Sequence, residues 1–353
     1  MISLIRISMV KFISGLRGLT WLMSAALAGL LVASCSQVPT PTALPAGIEP
    51  APDNSPFPTL TAEAIPTAGA PDFATLLPPA PPGYGQRADH LIYYSNNSGD
   101  YELFQIDLQG GNQTALAGSP IFGLEPAWSP DGRSVAFKSN HSGGFLQIFL
   151  LESATGQLTQ LTHFEADSWT PTWAPDGRSL LFISSASGDD DIYRLEPGGE
   201  PHNLTNSPAS NETLPAWSPD SSQIAFVSDR FGDQDVLVMG ADGSNVARLT
   251  DFEGLDTVPA WSPDGSQIAY VSFLNENFDI YVIDLQGGKP VRLTDNPAYD
   301  WSPAWSPDGS QIAFTSTREQ DGTYDVYVMN ADGSGQTRLT SAPADEIIPM
   351  WWP

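Results

Sequence analysis

The stretch DTVPAWSPDGSQIAYVSFLNENFDIYVIDLQGGKPVRLT, residues 256–294, carries four strand signals in succession. Thr257–Trp261 is short, and its Pro259 is tolerable only at a strand end or edge. Ser262-Pro263-Asp264-Gly265 reads as a tight turn, with φ preset by proline and positive φ open to glycine. Gln267–Ser272 and Asp279–Asp284 are apolar on both faces, as expected of strands covered on both sides; a half-solvated strand would alternate. Leu285–Lys289 turns again, and Val291–Thr294 is an outer strand whose exposed edge tolerates Arg292.

The central phrase of this unit recurs along the chain. PAWSPDG starts at Pro126, PTWAPDG at Pro171, PAWSPDS at Pro215, and PAWSPDG again at Pro259 and Pro303, with a fragment, PMWWP, at the end. The marker tryptophans Trp128, Trp173, Trp217, Trp261, Trp305 and Trp351 lie 45, 44, 44, 44 and 46 residues apart. That period, with four strands per repeat, is the signature of a β-propeller blade. Residues 91–117 supply a second, third and outer strand without a first, and EIIPMWWP supplies a first strand with nothing after it. Joining the two makes a sixth blade. The expected fold is all-β: a six-bladed propeller of four-stranded antiparallel blades, closed when the C-terminal strand joins the N-terminal blade and so removes the free sheet edges of an open arc.

The segment SPDGSQIAFTSTREQDGTYDVYVMNADGSGQTRLT, Ser306–Thr340, resembles the repeat of the TolB-like six-bladed propeller family. The resemblance spans about 265 residues and all six copies, which makes it specific for fold and much less so for function. The family's founding member is a soluble periplasmic protein that docks a peptidoglycan-associated lipoprotein and carries an α/β domain before its propeller. Here a proline-rich segment stands where that domain would be. Related propellers also serve as domains of serine oligopeptidases and of a pectin-fragment lyase, so the resemblance implies a search for those chemistries.

Residues 1–35 read as a secretory leader: basic residues, an apolar run over Leu19–Ala33, then small residues before Cys35. Leu31-Val32-Ala33-Ser34-Cys35 resembles the bacterial lipobox, and Cys35 is the only cysteine, so it is expected to carry lipid and anchor an exported protein to a bacterial membrane. Residues 36–88 are rich in Pro, Ala and Thr without apolar period, a disordered linker that sets the 89–353 propeller off the membrane. All 41 acidic residues follow position 48, whereas Arg6, Lys11 and Arg17 of the 14 basic residues belong to the leader. Such an acidic chain excludes nucleic acid as a partner.

Catalytic signatures are sparse. There is no Gly-x-Ser-x-Gly elbow, no HExxH, and only four histidines, of which His141 and His163 fall in loops of one blade. No enzyme activity, metal or other cofactor is expected; the acidic runs Asp189–Asp191 and Asp229–Asp235 are the places for Ca²⁺ if it binds, without the ligand spacing of a calcium loop. Asp131, Asp176, Asp220, Asp264 and Asp308 of the SPDG-type turns are expected to bind backbone amides. The aspartates that open the third strand, Asp191, Asp235, Asp279 and Asp325, read as anchors inside each blade, with Glu102 and Leu146 at the same place in the other two.

Three residues before each repeat proline stand Gly123, Ser168, Glu212, Asp256, Asp300 and Glu346. In a propeller these positions surround one mouth of the central channel, and the four consecutive acids make it a candidate site for a cation, a basic peptide or a basic patch of an envelope protein. Trp169 and Trp301, out of register with the repeat tryptophans, flank that mouth. The expected function is a monomeric, lipid-anchored, non-enzymatic protein-binding platform on the periplasmic or cell-surface face. The alternative is a glycan- or cell-wall-binding module, or a carbohydrate-active enzyme using mouth carboxylates such as Glu212 and Asp256.

Overall fold

The computed structural model describes residues 90–97, 102–117, 126–140, 144–152, 155–196, 198–251, 254–286, 288–319 and 323–351. The leader, Cys35, the 36–88 linker, Gly123 and His141 lie outside the described residues. The chain enters with β1 (His90–Ser95), β2 (Glu102–Asp107) and β3 (Thr114–Ala117). Blade I follows as β4 (Ala127–Trp128), β5 (Ser134–Ser139), β6 (Gln147–Glu152) and β7 (Leu158–Gln160). Blade II is β8 (Ser168–Trp173), β9 (Leu180–Ser184), β10 (Asp191–Leu195) and β11 (His202–Asn203). Blade III is β12 (Glu212–Trp217), β13 (Gln223–Ser228), β14 (Asp235–Gly240) and β15 (Ala247–Arg248). Blade IV is β16 (Leu255–Trp261), β17 (Gln267–Leu274), β18 (Asn277–Asp284) and β19 (Val291–Arg292). Blade V is β20 (Asp300–Trp305), β21 (Gln311–Ser316), β22 (Asp325–Asn330) and β23 (Thr337–Arg338), and β24 (Glu346–Trp351) ends the described chain.

Six four-stranded antiparallel sheets result, one of them ordered β24-β1-β2-β3. The last strand thus completes the first blade, with Leu91 opposite Trp351 and Ser95 opposite Glu346. The middle strands are buried along nearly their whole length because neighbouring blades cover both faces. Between blades IV and V, Ile280, Val282 and Leu293 pack against Ile312, Phe314 and Met329. Each such side chain contributes about 1.5–3 kcal/mol by leaving water.

Polar groups recur at fixed places and hold each blade in register. The Leu-Thr threonine after each outer strand accepts the amide of the second third-strand residue: Ile148 N to Thr162 Oγ1 at 2.8 Å, and Val236 N to Thr250 Oγ1 and Ile192 N to Thr205 Oγ1 at 3.0 Å. Ile280 N to Thr294 Oγ1 and Val326 N to Thr340 Oγ1, both 2.9 Å, repeat it. The turn aspartates bind backbone as expected, Asp264 and Asp308 each accepting an amide at 3.0 Å and a serine hydroxyl at 2.7 Å. Those bonds hold both carboxyls down to about 2. Gly265 closes its turn at φ 71°, and the one turn with serine instead, at Ser221, still takes φ 61°. There the Ser221 hydroxyl accepts the Asp176 amide of the neighbouring blade at 3.1 Å, an interaction glycine cannot make.

The tryptophans also join blades. Trp173, Trp261 and Trp351 donate their indole N–H to the carbonyls of Ala127, Ala216 and Ala304 in the preceding blade, at 3.2, 3.0 and 2.8 Å. Two expectations need correction. Blade IV's middle strands run two residues further each than the repeat suggests, because Asn275 and Glu276, at φ 52° and 66°, make a tight hairpin that lets pairing continue to Leu274 and Asn277. In blade I the third-strand anchor is Gln147, opposite Ser139, and not Leu146. Its amide donates to the Phe164 and Ala166 carbonyls at 2.9 and 3.0 Å, doing with neutral donors what the aspartates do with charge.

Removing residues 347–353 deletes β24 after its first residue and leaves β1 an open edge. The truncated chain is expected to aggregate or to lose its cooperative melt by circular dichroism, and Trp351→Ala alone to cost about 3 kcal/mol or more in urea denaturation. A truncated chain that melts like the full one would show that the ring closes some other way.

Candidate functional site

The four acids singled out from sequence, Glu212, Asp256, Asp300 and Glu346, stand first or, for Asp256, second in the innermost strand of a blade and pair with a serine at or near the end of its second strand, Ser228, Ser272, Ser316 and Ser95. Two residues further on, Leu214, Val258, Ser302 and Ile348 take φ near 52°, and the ladder shifts register, a β-bulge in every one of these strands. The bulge is where the strand stops following its partner. All four carboxylates are fully buried, with no exposed surface. They are therefore held between strands under the face of the ring and do not themselves line an open mouth.

A buried carboxylate is strongly destabilising unless paired. In blade V, Arg318 Nη2 meets both Asp300 oxygens at 3.0 and 3.2 Å, while its Nε donates to Ser316 Oγ at 2.8 Å. Its guanidinium also lies over the Tyr327 ring at 4.5 Å. Blade III repeats the device, with Arg230 Nη2 at 3.1 Å from Glu212 Oε1 and Nε donating to Ser228 Oγ at 3.0 Å. In both, the arginine comes two residues after the second-strand serine and 18 after the acid. Blade II has neither charge, and Ser168 Oγ donates to Ser184 Oγ at 3.1 Å. Glu346 accepts the Ala342 amide at 3.3 Å and Gln113 Nε2 at 3.4 Å. Asp256 stands apart: blade IV has Leu274 at the arginine position, and neither carboxylate oxygen has a hydrogen-bond partner.

A second row of buried acids stands at the start of the third strands, first in each except blade IV, where β18 begins two residues before Asp279. Asp235, Asp279 and Asp325 each meet the outer-strand arginine 13 residues later, Arg248, Arg292 and Arg338, at 2.9, 2.7 and 2.8 Å. Asp191 lacks such an arginine and accepts instead from Thr205 Oγ1 at 2.7 Å, Asn203 Nδ2 at 2.9 Å, the Ser207 amide at 3.3 Å and the Ser187 hydroxyl. These bonds outweigh burial and hold its carboxyl below the usual range.

The two acidic runs meet at the junction of blades II and III. Asp190 is pushed up to about 6 by burial and by Asp189, Asp191 and Asp229. Asp189 and Asp229 are already engaged, by the Ala209 amide at 2.9 Å and the Asn211 amide at 2.8 Å. Among the described residues no group of three or more His, Cys, Asp or Glu side chains is arranged to hold a metal ion. His163 and His202 are exposed.

What the same face offers to solvent is carried by the loops between second and third strands. Phe145 in blade I is 48% exposed and Phe231 in blade III 54% exposed, among exposed Asp233 and Glu276 and partly exposed Asp189, Asp229 and Glu319. The Arg248 guanidinium sits 4.8 Å from the Phe231 ring centre and props it on one side. Trp301 packs edge-on against Phe278 at 4.8 Å and Trp169 is half-buried. The exposed phenylalanines were missed in sequence; their signal is an apolar residue between glycines or beside one, Gly144-Phe145 and Phe231-Gly232, in otherwise polar loops.

Residues 87–253 and 248–353 match the family model described as TolB beta propeller domain. No protein of curated function matches the sequence. Among solved structures, TolB from Acinetobacter baumannii is 27% identical with a TM-score of 0.62, covering 75% of this chain and 67% of its own. A putative TolB from Agrobacterium tumefaciens is 24% identical, TM-score 0.57, covering 71% of this chain and 88% of its own. An oligogalacturonate lyase in complex with manganese is 19% identical, TM-score 0.52, with 71% and 73% covered, a likeness of fold alone.

Two outcomes follow from the buried charges. Arg318→Met strands the Asp300 carboxylate and is expected to cost about 3–5 kcal/mol in denaturant unfolding, much of it recovered in the double variant Arg318→Met/Asp300→Leu. Burial first, and then Asp235, push Asp256 up to about 6, against neighbouring hydroxyls and Arg248 that pull it down. A carboxyl whose folded pKa exceeds its unfolded value near 3.9 contributes fully below about pH 4, and that contribution is lost as pH climbs towards 6. Asp256→Asn is therefore expected to equal wild type at pH 4 and to exceed it by about 2–3 kcal/mol at pH 7.5 in a buffer of bulky organic cations. Equal stability at both pH values would show that Asp256 is solvated.

Proposed function

Because the chain belongs to the TolB β-propeller family, we propose that it is a non-enzymatic platform that docks another protein through the face bearing Phe145 and Phe231. One observation carries this reading: large apolar side chains project from an acidic surface of an acidic protein, where solubility alone would favour polar residues. Aromatic anchors ringed by charge are the usual make-up of a contact hot spot. The matching partner presents an apolar patch with a basic rim, and the acidic face steers its approach. With the leader and Cys35 read as a lipoprotein signal, the platform is lipid-anchored and the partner is an envelope protein.

The glycan-processing alternative has less support. Glu212 and Asp256 are sealed from solvent, and a carboxylate that meets no solvent has no access to a glycosidic oxygen of a polymer. Trp301 is partly buried, its ring 4.8 Å from that of Phe278, which reduces what it offers to a sugar ring.

Crosslinking in native membranes, followed by quantitative capture with wild type and with Phe145→Ser/Phe231→Ser, tests the platform. The double variant is expected to hold the captured protein about tenfold more weakly or worse. Equal capture by both, or none by wild type, would overturn the proposal.

A further inference from the structure

The six copies of one blade supply an internal control for the charge on each. Where an inner-strand acid is present in blades III and V, an arginine two residues after the second-strand serine covers it; where the acid is absent, in blade II, Ala186 stands at the arginine position. Two blades break the rule: in the closing blade Asn97 stands two residues after Ser95 and Glu346 accepts the Ala342 amide and Gln113 instead, whereas blade IV has no such replacement. It keeps Asp256, fully buried, and places Leu274 where the cation belongs. Both Asp256 oxygens lack a hydrogen-bond partner, and so does Oδ2 of Asp235, whose other oxygen is tied to Arg248 at 2.9 Å.

These groups face one another across the junction of blades III and IV. The Asp256 amide donates to the Gln234 carbonyl at 2.8 Å, which brings the start of β16 against the start of β14. The Asp256 carboxylate feels the negative charge of Asp235 and, more weakly, the positive charge of Arg248. The hydroxyls of Thr250 and Ser272 lie beside it, and the phenols of Tyr270 and Tyr281 are close enough for its charge to raise both. The setting is rich in oxygen, with two buried carboxylates and one guanidinium that it shares with exposed Asp251 at 2.5 Å. Three of its carboxylate oxygens make no hydrogen bond, and the donors beside them are neutral hydroxyls, with no second guanidinium to balance the charge.

We propose that the junction of blades III and IV binds a hard monovalent cation, sodium, between the carboxylates of Asp256 and Asp235, in the electrostatic role that Arg230 and Arg318 fill in the neighbouring blades. A single positive charge balances the buried pair Asp256 and Asp235 together with Arg248, and the Asp251 that also meets Arg248 lies outside at the surface. Two buried carboxylates with neutral hydroxyl oxygens suit an ion that tolerates irregular oxygen coordination, and the further carboxylates nearby, Asp251 and Asp233, are exposed and not gathered with the buried pair as a calcium site would need. Its effect is to hold two blades together beneath the loop that bears Phe231. Nothing in this depends on the docking role proposed above.

The test is thermal melting of the full chain at pH 7.5, titrating NaCl from zero to 200 mM against choline chloride at constant total salt. Parallel titrations use KCl and CaCl₂. Wild type is expected to gain about 3 °C or more in sodium by preferential binding to the folded state. Asp256→Asn should lose that shift. Leu274→Arg, which supplies the missing guanidinium, should also lose it and melt in choline at least as high as sodium-loaded wild type. Should Leu274→Arg fail to fold, broadening of the ²³Na resonance by wild type and its absence with Asp256→Asn stands in its place. Equal melting in sodium and choline, a shift that survives in Asp256→Asn, or a response to calcium alone would each overturn the assignment.

Discussion

The middle strands of every blade are apolar on both faces, and no blade can satisfy them by itself. Phe226, Tyr270 and Phe314 occupy equivalent places in β13, β17 and β21 and are essentially without exposure, which is achieved only when another blade lies on each side. From that constraint follows the ring, and from the ring follows its closure. A blade at the end of an open arc would present one apolar face and one unpaired edge to water; pairing β24 with β1 removes both liabilities at once. The tryptophan indoles that reach back to the alanine carbonyls of the preceding blade make the same junctions directional as well as apolar.

Close-packed junctions have a consequence for charge. The strand ends beneath one face carry carboxylates near the starts of the inner and third strands, and packing seals them from water. The structure answers with arginines drawn from different places in the repeat: the outer strand for Asp235, Asp279 and Asp325, the loop after the second strand for Glu212 and Asp300. Asp191 shows that neutral donors serve equally well, and Asp256 shows a junction where neither arrangement is complete.

The number of blades, the strand order and the joining of the two chain ends were all legible before any coordinates, since each rests on a local signal repeated at constant spacing. The SPDG-type aspartates were legible for the same reason: their partners lie two residues away. The acid positions at the start of the inner strands were also found, but as an open charged mouth. Their burial depends on side chains 18 residues later and on the next blade, and a reading by strand position alone has no measure of it. The recurring intervals of 18 from Glu212 to Arg230 and Asp300 to Arg318, and of 13 from Asp235 to Arg248, were present in the chain as the available clue. The hairpin at Asn275-Glu276 escaped because both residues adopt positive φ without glycine.

What the sequence by itself determined is the repeat and therefore the architecture: 44-residue periodicity, turn chemistry and doubly apolar strands admit one way of burying their surface. What only the tertiary structure decided is the state of each polar group, namely which carboxylates meet a guanidinium, which meet hydroxyls, and which meet nothing. The physical reason is range. Strand and turn propensities act over a few residues, whereas ion pairing joins positions 13 or 18 residues apart in one blade and desolvation is fixed by the neighbouring blades packed on either side.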